Sequence, residues 1–248
     1  MRLIRLLVFL LILNTFILAG FLLSQETGNV VLESRIDYAN ITNIVDGDTI
    51  DVFINNITRR VRLLGINTPE KGERGFEEAT NFLKQFENKT IVLERTIEDK
   101  DKYERLLRYI IYKNRLLNEE ILKKGLAHFY SYNKDKYDNN LLEAEEWARN
   151  NELGIWEKSK DMCSNCINLF ELEEIEPEFI VLENKCNFEC NLSSWIVKDD
   201  ASFKLKLNFS ILTSSQYQID ILGRVFNDAG DSFYLRDEKG LLVEFYRY

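Results

Sequence analysis

Arg62, Asn67, Thr68 and Glu70 fall within the short stretch Val61-Arg62-Leu63-Leu64-Gly65-Ile66-Asn67-Thr68-Pro69-Glu70. Val61 to Ile66 reads as a short buried strand, apolar except for the arginine. A guanidinium is costly to bury unless it meets an anion. Arg62 therefore pairs with a structural carboxylate or faces a cavity that holds a phosphate. Pro69 lacks an amide donor and drives Thr68 towards an extended conformation, so the chain turns out of the sheet here. Glu70 is then presented at the strand exit, beside oxygen donors from Asn67 and Thr68. An arginine, a carboxamide, a carbonyl and a carboxylate at one strand end suit a hard cation next to a phosphate. The competing reading is a solvated charged rim.

Other elements must position this stretch. Upstream, Asp46-Gly47-Asp48-Thr49 lies among Ile41, Ile44, Val45 and Ile50, a strand whose bend at Gly47 aims Asp48 at one face. Ile54-Asn55-Asn56-Ile57 signals a hairpin, because asparagine tolerates positive φ. Arg74 to Asn88 reads as a helix with Phe76, Ala79, Phe82, Leu83 and Phe86 on one face. Thr90 to Arg95 and Leu106 to Tyr112 are further strands. Asn118 is a candidate N-cap with Gly125 as the stop, and Asp138 to Asn150 is a third helix that packs Leu141, Ala144, Trp147 and Ala148. Five strands with helices added predict an OB-type barrel.

The ordered blocks Asp46-Gly47-Asp48-Thr49, Val61 to Glu70, Asp101-Lys102-Tyr103-Glu104-Arg105, Leu117-Asn118-Glu119-Glu120, Gly125-Leu126-Ala127 and Leu153-Gly154-Ile155-Trp156 resemble the staphylococcal nuclease (thermonuclease-like) family over roughly residues 38–158. The resemblance implies an OB-fold barrel with three helices and a calcium-dependent endonuclease that cuts DNA or RNA to leave 3′-phosphates. It implies that Arg62 and Arg105 hold and stabilise the scissile phosphate, and that Glu70 orients or deprotonates the attacking water. Asp48, Asn67 and the Thr68 carbonyl match calcium ligands, and Lys102 and Tyr103 match contacts to a neighbouring phosphate. Tyr130 and Tyr132 are candidates for stacking on a base, or else surface tyrosines. Two positions depart from the family. Asn67 stands where aspartate is common, and Glu104 replaces a glycine beside Arg105. They motivate an alternative: a catalytically weak nucleic-acid-binding module.

The formal charge of −9 argues against bulk attraction to polyanions. Residues 31–160, however, hold 22 basic and 24 acidic side chains, whereas residues 161–248 hold 8 and 16, so the acidity lies mostly in the second half. A single histidine, His128, rules out paired-histidine chelation and reads as a structural or surface residue. Arg2 and Arg5 precede Leu6 to Leu23, 18 residues without a charge, with Glu26 and Glu33 after them. Residues 1–24 are therefore a signal peptide or N-terminal membrane anchor, and the remainder is exported, whether membrane-anchored or secreted.

The expected organisation is α+β: a tether at 25–37, the nuclease-like barrel at 38–160, an acidic Cys-containing linker at 161–176 and an all-β domain at 177–248. Phe203, Leu205, Leu207 and Phe209 alternate with polar residues, as do Leu241, Val243 and Phe245. The segments Leu192 to Asp200 and Asn227 to Leu235 resemble the lamin-tail domain, which implies an immunoglobulin-like sandwich with Trp195 in its core. Its ligand is open: wall polymer, a membrane neighbour or nucleic acid, the last disfavoured by acidity. Cys163, Cys166, Cys186 and Cys190 have the spacing of a structural zinc site, while export favours two disulfides.

Overall fold

In the computed structural model the described residues are 36–131, 134–227 and 231–248. The apolar segment 1–24, nearly all of the tether, and Tyr132 lie outside them. Five strands make the barrel: β1 (Ile36–Ile44), β2 (Thr49–Ile54), β3 (Ile57–Leu63), and further along the chain β5 (Thr90–Lys100) and β6 (Leu106–Tyr112). The order is β3-β2-β1-β5-β6, and a parallel pairing of β6 with β3 closes it. The period of two is clear in β2, where Ile50, Val52 and Ile54 face the core. Asn55 and Asn56, at φ 49° and 63°, form the tight turn between β2 and β3.

The expected strand Val61–Ile66 is interrupted. β3 ends at Leu63, and the chain turns at Leu64 and Gly65, with Gly65 at φ 72°. A Cβ at Gly65 would lie 2.3 Å from Leu141 Cδ1, so both the angle and the close approach require glycine. The short β4 (Ile66–Asn67) leaves the barrel and pairs with β8 (His128–Phe129), setting Asn67 opposite His128. β7 (Arg115–Leu116) is a small extension on β6.

Three helices pack on the barrel: α1 (Phe76–Lys84), α2 (Leu117–Lys123) and α3 (Asp138–Asn150). α1 is shorter than the apolar periodicity suggested, because Gly75 at φ 95° precedes it and a tighter turn, with Phe86 bonded to Leu83 and Glu87 to Lys84, follows Lys84. Asn118 is inside α2 rather than its cap. It is fully buried, its Oδ1 accepting the Ile110 amide at 2.9 Å and its Nδ2 donating to the Leu64 carbonyl at 2.7 Å. It thus ties β6 to the turn that precedes the Asn67 segment. On α3, Trp147 lies off the buried stripe and is 47 % exposed.

The C-terminal region is strand-rich. β9 (Ile167–Glu173), β10 (Phe179–Asn184) and β15 (Gln216–Asp220) form one sheet, in the order β15-β10-β9. β12 (Ile196–Lys198), β13 (Lys204–Lys206), β16 (Ser232–Arg236) and β17 (Leu242–Arg247) form a second, and β11 (Cys190–Asn191) pairs with β14 (Ser210–Ile211). β9 falls within the stretch that composition marked as an acidic linker. Trp195, Val197, Phe226, Phe233 and Leu235 are buried in the core of this region.

The four cysteines form two disulfides, Cys163–Cys190 and Cys166–Cys186. The pairing supports the disulfide reading over zinc, although the sulfurs of Cys163, Cys186 and Cys190 also lie within 4.8 Å of one another, a spacing that could hold a metal ion. The bonds close segments of 27 and 20 residues, and chain entropy assigns the first such closure roughly 3–4 kcal/mol. Reductant should therefore lower the denaturant midpoint of unfolding substantially. Insensitivity to reductant combined with sensitivity to a chelator would restore the zinc reading.

Residues 36–248 belong to one compact unit. Tyr234 and Leu242 of the C-terminal region pack with Ala148 of α3 and with Ile155 and Trp156 of the 3-10 turn Gly154–Trp156. His128 is wedged between Trp156 and Tyr234, with ring centroids at 5.1 and 4.4 Å. Its burial, with Arg236, Lys198 and Arg247 nearby, pushes its pKa well below the usual value, so it is neutral. Arg247 pairs with Glu145 of α3, whose side chain is 1 % exposed. Arg236 donates to the Ile155 carbonyl at 2.7 Å. Among the described residues no helix is long and apolar enough to cross a membrane.

Candidate active site

The bend between β1 and β2 carries Asp48, which is 7 % exposed. Its Oδ2 accepts the Thr68 amide and the Thr68 hydroxyl, both at 3.0 Å, and its Oδ1 accepts the Thr49 hydroxyl at 3.0 Å. Gly47 is tightly placed, since a Cβ there would come within 2.5 Å of Ala79 on α1 and 2.9 Å of Thr68. Asp48 and Thr68 are therefore brought together by a segment that tolerates no side chain.

Arg62, on β3, answers the question its burial raised. Its Nη1 donates to the carbonyls of Leu63 and Ile66 at 2.7 and 2.8 Å. Its Nη2 lies 3.1 Å from Asn67 Oδ1 and 3.2 Å from Asp48 Oδ2. The guanidinium thus has a structural carboxylate as its partner here. One cationic nitrogen is shared by the side-chain oxygens of Asp48 and Asn67, and a pair of hard oxygen donors facing one point is of the kind that suits a divalent cation. Asp46 adds to the negative potential. Its carboxylate accepts the Asp48 amide at 3.0 Å, and burial first, then the charge of Asp48, push its pKa above the usual range.

Glu70 follows on an exposed turn. Among the described residues its carboxylate takes no hydrogen bond or ion pair, which leaves it open to solvent or substrate. The turn itself is closed twice: the Glu70 amide donates to Glu73 Oε2 at 3.1 Å, and the Glu73 amide to the Glu70 carbonyl at 2.8 Å.

Arg105 sits just before β6. The pairing of Val61 with Leu106 brings it alongside the strand that carries Arg62. Asp101 orients it, accepting Arg105 Nε at 2.6 Å and the Arg105 amide at 3.0 Å. Burial alone would raise the Asp101 pKa, but these bonds outweigh it and hold the pKa low. The Tyr103 ring, 67 % exposed, lies under both Lys102 and Arg105, at 5.1 and 5.5 Å. Glu104 takes φ 65°, a left-handed conformation that ordinarily favours glycine. Its carboxylate pairs with Lys100 at 2.7 Å rather than with Arg105. Tyr130 is half-buried, its amide donating to the Gly65 carbonyl at 3.2 Å.

The structure therefore joins Asp48, Arg62, Asn67 and Thr68 in one hydrogen-bonded cluster, sets Glu70 beside it, and keeps Lys102, Tyr103 and Arg105 as a neighbouring group. Asp46, Glu73 and Asp101 are additions to the residues picked from sequence. The Asp-x-Asp spacing could have flagged Asp46. The i,i+4 relation to Arg105 could have flagged Asp101. Glu73 lies only three residues beyond Glu70, a weak signal for a turn-closing carboxylate.

Residues 60–158 match the family model described as staphylococcal nuclease homologue. The chain is 35 % identical over 127 residues to a thermonuclease of Staphylococcus intermedius, covering 48 % of this chain and 75 % of that protein. It is 33 % identical over 147 residues to endonuclease YncB of Bacillus subtilis, covering 54 % of this chain and 70 % of the relative. It is also 31 % identical over 153 residues to an uncharacterised protein of Methanocaldococcus jannaschii, covering 50 % and 73 %. With the five-stranded barrel, its three helices and this degree of similarity, the chain belongs to the staphylococcal nuclease family.

Proposed function

We propose that this protein is an exported, metal-dependent nuclease that hydrolyses phosphodiester bonds of DNA or RNA and leaves 3′-phosphate ends. The observation that carries the reading is the Arg62 guanidinium bridging Asn67 and buried Asp48, with Glu70 on the next turn, its carboxylate without a partner among the described residues. Asp48, Asn67 and the Thr68 carbonyl would hold calcium, which when bound supplies Lewis-acid polarisation of the phosphate. Arg62 exchanges its Asp48 contact for phosphate oxygens, which a guanidinium fork matches in pairs. Glu70 takes the proton of the attacking water or orients it. Arg105, aimed by Asp101, stabilises the charge that develops as the bond breaks. Lys102 and Tyr103 receive an adjacent phosphate, and Tyr130 and Tyr132 a base.

The competing binding-module reading rested on Asn67 and Glu104. Each has a defined place here: Glu104 adopts the left-handed conformation with its own lysine partner, and Asn67 keeps an oxygen on Arg62, so neither departure disrupts the site. Export is inferred from the charge pattern around residues 1–24, and two disulfides suit an oxidising compartment. The buried Trp195 and the strands after Pro177 support a lamin-tail-like, immunoglobulin-like sandwich at 177–248 that would anchor or present the nuclease, with 38–160 as the nuclease domain.

End-labelled single-stranded DNA incubated with the protein and calcium should yield fragments that polymerase extends only after phosphatase treatment. Absence of cutting in every divalent ion tried would remove the enzyme reading in favour of binding alone.

A further inference from the structure

The C-terminal region reaches the Glu70 turn through one hairpin. Lys198 ends β12, Lys204 begins β13, and the two are paired in register. Their ammonium groups converge on one carboxylate: Lys198 Nζ lies 3.0 Å from Glu73 Oε2, and Lys204 Nζ lies 3.1 Å from Glu73 Oε1. The side chains of Lys198 and Glu73 are each 15 % exposed, so this is a largely desolvated contact rather than a surface ion pair. Burial raises the Glu73 pKa, and the two lysines outweigh it and hold it below the usual range. The same Oε2 accepts the Glu70 amide, so the carboxylate clamped by the second region also closes the turn carrying Glu70.

A second contact reaches Asn67. Its Nδ2 donates to the Asp200 carbonyl at 3.0 Å while its Oδ1 accepts from Arg62. A guanidinium can only donate and a carbonyl can only accept, so the amide has a single satisfied orientation, with its oxygen turned towards Arg62. An aspartate at 67 could not donate to Asp200. Asn67 therefore reads as matched to the second region rather than as a weakened ligand. Asp200 is itself fixed from the C-terminal core: its carboxylate accepts the Tyr234 hydroxyl at 2.6 Å, and its amide donates to Asp231 at 3.2 Å.

We propose that the C-terminal region completes the nuclease site, with Lys198 and Lys204 as positioning residues that set Glu70 through Glu73, and the Asp200 carbonyl setting the Asn67 amide. This rests on the assignment of Glu70 as the group that handles water. The Tyr234–His128–Trp156 packing already holds the two regions together, so the Lys198–Glu73 pair is not needed as glue.

The test is a double-mutant cycle on the full chain, with Lys198→Met, Glu70→Gln and the pair, measuring kcat and KM for DNA well below the unfolding midpoint. Lys198→Met should lower kcat by roughly 10–100-fold with little change in KM, because misplacing a catalytic group by about 1 Å can cost on the order of 10²-fold. Lys198→Arg should recover most of that loss. In the Glu70→Gln background Lys198→Met should cost almost nothing further, because both changes disable one unit. Should Lys198→Met not fold, Lys204→Met, at a 45 % exposed side chain, gives the same cycle with a smaller effect. Full multiplication of the two losses, or a lower melting temperature with unchanged kcat, overturns the proposal. Failure of the Glu70 assignment is seen separately, as wild-type kcat in Glu70→Gln alone.

Discussion

Glu70→Gln should reduce turnover by about 10²–10⁴-fold, the usual contribution of a positioned general base, while the fold and the affinity for a nucleotide inhibitor survive. The structural basis is the isolation of this carboxylate. Glu70 is exposed, and its side chain takes no hydrogen bond or ion pair among the described residues, so an amide there removes no contact. The Glu70–Glu73 turn is closed through the backbone of residue 70, which the substitution leaves intact. Thermal midpoint and kcat measured on the same preparation check this. A midpoint that falls in step with activity would mean that Glu70 is structural after all.

Arg62→Ala should behave differently, with loss of both stability and turnover. Arg62 satisfies the Leu63 and Ile66 carbonyls, the Asn67 amide oxygen and the Asp48 carboxylate at once. Its side chain and that of Asp48 are 14 % and 10 % exposed. Removing one partner of a buried ion pair typically costs about 3–5 kcal/mol. Asp48 keeps three hydrogen bonds from Thr49 and Thr68, so a cost of roughly 2–4 kcal/mol is expected. Arg62→Lys should regain part of the stability and little of the turnover, because a point charge cannot span the same acceptors or fork onto a phosphate. Calcium should offset part of the Arg62→Ala destabilisation by neutralising Asp48, and a melting curve with and without calcium reads this directly. An Arg62→Ala protein as stable as wild type would show that the pair with Asp48 contributes nothing to the fold.

How much of this was legible in the sequence depends on the range of the interactions. The β2–β3 hairpin, β6 and α3 follow from local signals: two asparagines able to take positive φ, an apolar run, and a helical stripe. The order of Asp48, Arg62, Glu70 and Arg105 along the chain was enough to propose the site. The break at Leu64–Gly65 was read through as strand, because the positive φ of Gly65 and its close approach to Leu141, on a helix far along the chain, show only in the fold. Asn118 looked like a cap because its role is to join Leu64 to Ile110, a purely tertiary task. Composition separated the two halves by charge and suggested a linker. The Trp156–Tyr234 packing instead joins them, and Lys198, in the acidic half, ends up on a carboxylate of the first half. The residues that depart from the family pattern, Asn67 and Glu104, make sense only once their partners Asp200 and Lys100 are seen.

The central claim is that Glu70 and the Asp48–Arg62–Asn67 cluster form a metal-dependent phosphodiesterase site. A free-calcium titration of single-stranded DNA cleavage, run in parallel on wild-type and Glu70→Gln protein, tests it most directly. The wild-type rate should rise with calcium to a plateau and vanish on chelation, and the Glu70→Gln rate should stay about 10²–10⁴-fold lower at every calcium concentration. Cleavage that ignores chelator, or a Glu70→Gln titration that overlays the wild-type curve, would contradict it.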